Sequence, residues 1–112
     1  MVINEQKQND VDIVVLSGRF VMENAQEVKG RIHAIIRDGQ GKLLLDIEKV
    51  SFIDSTALAV LVSAYKDLQL KAGHLVLITS PVVQSLLELT RLHTIFEIMP
   101  NQGVALEILA EK

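Results

Sequence analysis

Cysteine is absent from the 112 residues, which excludes disulfides, thiolate metal sites and a cysteine nucleophile. Tryptophan is absent as well, and aromatic residues make up only 4%. Any core must therefore be aliphatic, and with 49% hydrophobic residues there is enough material for one. Charge of one sign is scarce: 11 basic and 14 acidic residues give a net charge of -3. No basic patch of the kind nucleic-acid binding uses is visible. Apolar runs are broken by charge well short of the ~18–20 residues of a membrane span. The start, MVINEQKQND, lacks the apolar core of a signal peptide. These absences lead us to expect a soluble cytoplasmic protein, with residues 1–112 forming one domain.

The usual marks of catalysis are also missing. GxGxxG and GxxxxGK[ST] do not occur, so the common phosphate-cradling loops are absent. GxSxG does not occur either. His33, His74 and His93 stand far apart and show no metal-ligand spacing. A Ser–His–Asp set could be assembled from Ser55, His74 or His93 and an acid, but the mere presence of those types carries no geometry. No cofactor and no metal are expected.

What is present is a regular alternation of periods. Residues 2–8 and 11–18 read as strands joined across a polar turn at Asn9 and Asp10. Ala25, Val28, Ile32, Ile35 and Ile36 then recur at helical spacing. Asn24 is the expected N-cap, with Glu27 as its capping-box partner, and Gly39 and Gly41 close the helix. KLLLDIEKV is a strand without alternation, which predicts burial on both faces. A long helix follows from Ser55, with an inward stripe of Ala57, Leu58, Leu61, Ala64, Tyr65, Leu68 and Ala72, stopped by Gly73. HLVLIT is another buried strand. Ser80 and Pro81 announce a helix whose Val83, Leu86 and Leu87 face inward. IFEIM is a short strand, and a small amphipathic helix ends the chain. The fold class is therefore α/β: a mixed, mostly parallel sheet, an N-terminal antiparallel hairpin and about four helices.

One stretch exceeds structural need. In SFIDSTALAV, Asp54, Ser55 and Thr56 open the long helix. One capping residue contributes about 1 kcal/mol there, and a second acid or hydroxyl adds a few tenths through the helix dipole. Three in succession are more than capping requires. On the same side of the helix as Ser55 fall Ala59, Val62, Ser63 and Lys66, a face that is small and partly apolar where a solvated one carries Glu, Lys and Gln. A hydroxyl heading such a face suits a docking surface that phosphorylation could switch, since a phosphate adds about -1.5 to -2 charges. Phe20 and Met22, in an expected loop, either tuck into the core or meet a partner.

The run from Leu43 to Ile98 resembles the STAS domain, most closely the bacterial anti-sigma factor antagonists. An aliphatic strand ending in Asp, a short apolar link and Asp-Ser-Thr opening a helix carry the resemblance. So do the Pro-x-Val helix start, the Leu-Leu pair and the Ile-Phe ending. The resemblance implies a STAS-like fold and a partner that is an anti-sigma factor with serine-kinase activity. It implies phosphorylation at Ser55, with Thr56 as the second choice, and no enzymatic activity of the chain itself. Asp54 would help to bind or position the kinase, and Asp46 would shape its loop. The segment from Arg19 through Phe20 to Met22 would join Asp54, Ser55, Thr56, Ala59, Val62 and Ser63 in contact with the partner. A monomer or weak dimer, without direct membrane insertion, is expected. The chain departs from the family pattern at Ala57, Ala59 and Arg91, where Gly is common, and at Phe20 to Met22, where an acid is common. An alternative within the same fold is a non-switching scaffold subunit of a lipid-transport, sensory or anion-transport assembly.

Overall fold

The computed structural model describes residues 1–112. Strands β1 (Val2–Gln8) and β2 (Val11–Phe20) form the expected hairpin. Asn9 takes a left-handed φ of 56° at the turn, a conformation Asn tolerates because its short polar side chain bonds locally. Then come α1 (Met22–Asp38), β3 (Lys42–Ile53), α2 (Ser55–Leu70), β4 (His74–Ile78) and α3 (Pro81–Leu89). A 3-10 turn (Leu92–Thr94), β5 (Glu97–Ile98) and α4 (Gln102–Ala110) complete the chain.

The five strands lie in sequence order, β1-β2-β3-β4-β5. β1 is antiparallel to β2, and every later neighbour is parallel. Parallel crossovers are right-handed, so three successive ones in this order place α1, α2 and α3 on the same face. Leu43, Leu45 and Ile47 of β3 accordingly share a core with Val28, Ile32, Leu61, Val83 and Leu87. Leu44 points the other way and packs with Ile13, Val76, Ala105 and Leu109 under α4. That explains the unbroken LLL of β3: each face of the central strand has its own helical cover.

Several boundaries differ from the sequence expectation. α1 starts at Met22 with Val21 in the cap position, three residues before the expected cap Asn24. Asn24 serves the helix start from inside. Its Oδ1 accepts from the Val21 N–H at 3.0 Å, and its Nδ2 donates to the Arg19 carbonyl at 2.8 Å. β3 continues to Ile53 because its second half keeps pairing with β2 across two register shifts. Gly18, at φ 104°, sits at the second of these, where an L side chain would be strained. Asp46 is therefore inside a strand, not in a loop. It is buried, its Oδ1 accepting from the Glu48 N–H at 3.1 Å and its Oδ2 from Gln102 Nε2 at 2.9 Å. It ties β3 to the first turn of α4. β5 shrinks to two residues because the preceding segment winds into the 3-10 turn.

Gly73 does more than end a helix. A Cβ there would meet the Gly41 carbonyl oxygen at 2.6 Å, so the close approach of two chain segments requires glycine. At the start of α3, Ser80 Oγ accepts from the Val83 N–H at 3.2 Å and donates to the Val50 carbonyl at 3.1 Å. One hydroxyl thus caps the helix and pins it to β3.

Candidate functional site

The end of β2 and the end of β3 lie side by side, with Arg19 paired to Phe52 and Phe20 to Ile53. α1 and α2 start immediately after these pairs, so the two helix N-termini are neighbours. Asp54 joins them. Its Oδ1 caps α2 by accepting from the Ala57 N–H at 2.9 Å. Its Oδ2 accepts from the Met22 N–H, the first residue of α1, also at 2.9 Å. The Asp54 N–H in turn donates to the Phe20 carbonyl at 3.3 Å.

These bonds hold the Asp54 carboxyl below the ordinary carboxylate value. The Ala57 N–H is the largest cause, partial removal from water opposes it, and the Met22 N–H adds to the lowering. A group with a depressed native pKa contributes stability that is complete above its unfolded value near 3.8 and is lost as pH falls through the native value. Asp54→Asn is therefore expected to melt below the parent chain at neutral pH. The gap should close as both are acidified below about pH 4. Thermal melts of the two proteins from pH 7 to pH 2 check this, and a gap that stays constant throughout would refute the cause given.

Ser55 is the first residue of α2 and is exposed, whereas Thr56 is half-buried. Arg19 is exposed, and its guanidinium carbon lies 4.7 Å from the centre of the Phe52 ring, a cation–π contact on the rim of the site. Met22 is 63% exposed. Phe20 is not on this surface. Its side chain is 0% exposed and belongs to the main core, so its expected contact with a partner is corrected. The reason is strand alternation: β2 runs through Phe20, and the ring points under α1 while Arg19 points out.

The outer face of α2 divides between two concavities. Ala59, Val62, Ser63 and Lys66 line a shallow depression with Asp67 and Leu70, about 610 Å³ in volume. On the other side a groove of about 520 Å³ runs between α2 and α3, with Ser55 on its lining beside Phe52, Leu58, Val82, Leu86 and Leu89. The sequence reading missed this groove. Its signal was there: Val82, Leu86 and Leu89 fall at i, i+4 and i+7, so α3 carries an apolar face additional to the buried Val83 and Leu87. Leu86, expected inward, is half-buried at the seam between the two faces. The bridge from Asp54 to Met22 had no sequence signal, because it joins residues 32 apart.

The histidines do not converge. His33 is exposed on α1 and its Nδ1 meets Asp67 Oδ2 of α2 at 2.8 Å, linking the two helices. His74 opens β4, and His93 lies in the 3-10 turn. No group of three or more His, Cys, Asp or Glu side chains could hold a metal ion. No helix is long and apolar enough to cross a membrane.

A five-stranded sheet with three helices on one face and one on the other, and an exposed hydroxyl beside two joined helix starts, defines a small α/β domain of STAS type. Residues 2–105 match the STAS domain profile, and the chain belongs to that family. It is 34% identical over 103 residues to the anti-sigma-B factor antagonist of Listeria monocytogenes, covering 90% of this chain and 89% of the relative. Among solved structures, a Thermotoga maritima protein described as a candidate anti-sigma factor antagonist superposes with a TM-score of 0.91 at 26% identity, over 96% of this chain and 94% of its own. The Bacillus cell fate determinant SpoIIAA in its phosphorylated form gives a TM-score of 0.75 at 16% identity, over 95% and 97% of the two chains. At that identity the likeness is one of fold.

Proposed function

We propose that this chain is an anti-sigma factor antagonist, a cytoplasmic binding module that captures an anti-sigma factor with serine-kinase activity and is released by phosphorylation of Ser55. The observation that carries the reading is the exposed Ser55 at the head of α2, in a STAS domain similar in sequence to a named antagonist. The partner would contact Asp54, Ser55 and Thr56, the face of Ala59, Val62 and Ser63, and the neighbouring Arg19 and Met22. Asp54 holds the start of α2 rigid and presents Ser55 beside the start of α1. The chain supplies the accepting hydroxyl, and the catalytic groups belong to the kinase. Ser55 Oγ forms a bond to the γ-phosphorus of ATP, the bond from that phosphorus to the bridging oxygen breaks, and ADP leaves. The hydroxyl proton passes to a base on the kinase.

The phosphate would sit at a helix N-terminus, whose free N–H groups favour negative charge, so the fold tolerates the modification. The partner surface does not, because it was matched to a neutral hydroxyl. Incubation with the cognate kinase and ATP, followed by intact-mass measurement, tests the reading. One phosphoryl group per chain is expected, absent in Ser55→Ala and present in Thr56→Val. Transfer that survives Ser55→Ala and stops in Thr56→Val would move the site to Thr56. Absence of both transfer and binding would leave the non-switching scaffold as the reading to pursue.

A further inference from the structure

β1 ends the sheet, so one of its edges carries N–H and C=O groups with no neighbouring strand. The opposite end is β5, only two residues long, whereas β1 has seven. An edge of that length is a template for another strand. β1 also lies outside the helical cover: all its residues but Ile3 are exposed. Between it and α1 opens a polar cleft of about 360 Å³, lined by Glu5, Lys7, Asp12 and Arg31 among others. Because β1 is exposed along its length, a neighbouring strand could approach its free edge without displacing a helix.

We propose that β1 pairs antiparallel with β1 of a second copy about a two-fold axis at Gln6, joining two five-stranded sheets into a continuous one. Symmetry and charge together select the register. A two-fold axis through an antiparallel pair stands perpendicular to the sheet, so one residue must face its own copy and its neighbours face each other in reciprocal pairs. Glu5 and Lys7 are the only charges in β1. An axis at Glu5 or at Lys7 sets like charges opposite each other, which is destabilising. An axis at Asn4 leaves Lys7 beyond the paired strand and puts Glu5 opposite Ile3. An axis at Gln6 sets Glu5 opposite Lys7 twice, Gln6 opposite Gln6, and Asn4 opposite Gln8. One face of the joint then carries two ion pairs, and the other carries amides able to donate and accept across the axis.

The existing contacts leave capacity for this. Lys7 Nζ has only a loose ion pair, 3.8 Å from Asp12 Oδ1. Glu5 bonds Arg31 through Oε2, which leaves its other oxygen available. A joint of two short polar strands belongs to the small, weak class of interface, so the dimer should be in reversible equilibrium with monomer and form only at high protein concentration.

Sedimentation equilibrium of the full chain tests the proposal. The parent protein should show a monomer–dimer equilibrium. Glu5→Lys and Lys7→Glu, each alone, should weaken it at least about tenfold through like-charge pairs. An equal mixture of the two should dimerise again, because Lys at 5 of one copy then faces Glu at 7 of the other; this recovery also shows that both variants fold. The chain has no cysteine of its own, so register can be read by oxidation: Gln6→Cys should cross-link to itself faster than Asn4→Cys or Gln8→Cys. A parent chain monomeric to about 1 mM overturns the proposal, as does a mixture that stays monomeric. Dimerisation indifferent to both charge changes would place the contact elsewhere, with the apolar face of α3 the first surface to test.

Discussion

Ser55→Asp is expected to weaken binding to the proposed serine-kinase partner by about tenfold to a hundredfold, while Ser55→Ala binds as the parent does. Ser55 is exposed at the first position of α2 and lines the apolar groove shared with α3. Asp54 beside it is already committed to two backbone N–H groups and is held in its charged form. A carboxylate at position 55 adds a second negative charge at the head of the proposed docking face. Misplaced charge across an interface costs up to several kcal/mol, and each 1.4 kcal/mol is about tenfold in affinity. The effect should shrink as salt is raised, since both charges reach solvent. Calorimetric titration of the kinase with each variant, at low and high salt, measures it. Equal affinities for Ala and Asp at position 55 would remove the electrostatic switch from this surface.

The second large effect lies one layer deeper. Phe20→Ala is expected to cost about 3–5 kcal/mol of stability, through lost transfer energy and the cavity left under α1. The ring is 0% exposed within the main core, and the Phe20 carbonyl accepts from the N–H of Asp54. Denaturant unfolding should show the midpoint falling with little change in slope. Met22→Ala, at a position 63% exposed, should stay within about 0.5 kcal/mol of the parent. If the surface drawn here is the docking face, Met22→Ala weakens partner binding without loss of stability, and Phe20→Ala affects binding only as far as it unfolds the chain. A loss below about 1 kcal/mol for Phe20→Ala would contradict its burial.

That pair of residues shows where sequence reading stops. Phe20 and Met22 are both apolar and only two positions apart, in a segment that follows Gly18, and nothing local separates them. Their fates are set by the register shifts that keep β2 paired with β3 through Phe20 and by the onset of α1 one residue before Met22's neighbour Glu23. Both depend on a strand more than thirty residues away. The same holds for Asp54. Its cap on Ala57 is legible from Asp-Ser-Thr opening a helix, whereas its bond to Met22 exists only because two strand ends are adjacent.

From its residues alone the chain declared an α/β alternation, a buried central strand, a helix head rich in hydroxyls and its likeness to the STAS domain. Each of these is a local pattern: strand and helix periods, capping residues, and a motif contiguous in the sequence. Tertiary structure decided which apolar side chains stay in water. It carried β3 on to Ile53, buried Phe20 and opened the groove between α2 and α3. The physical reason is that burial is settled by what packs on the far side of a residue, and here that partner is always distant in the chain.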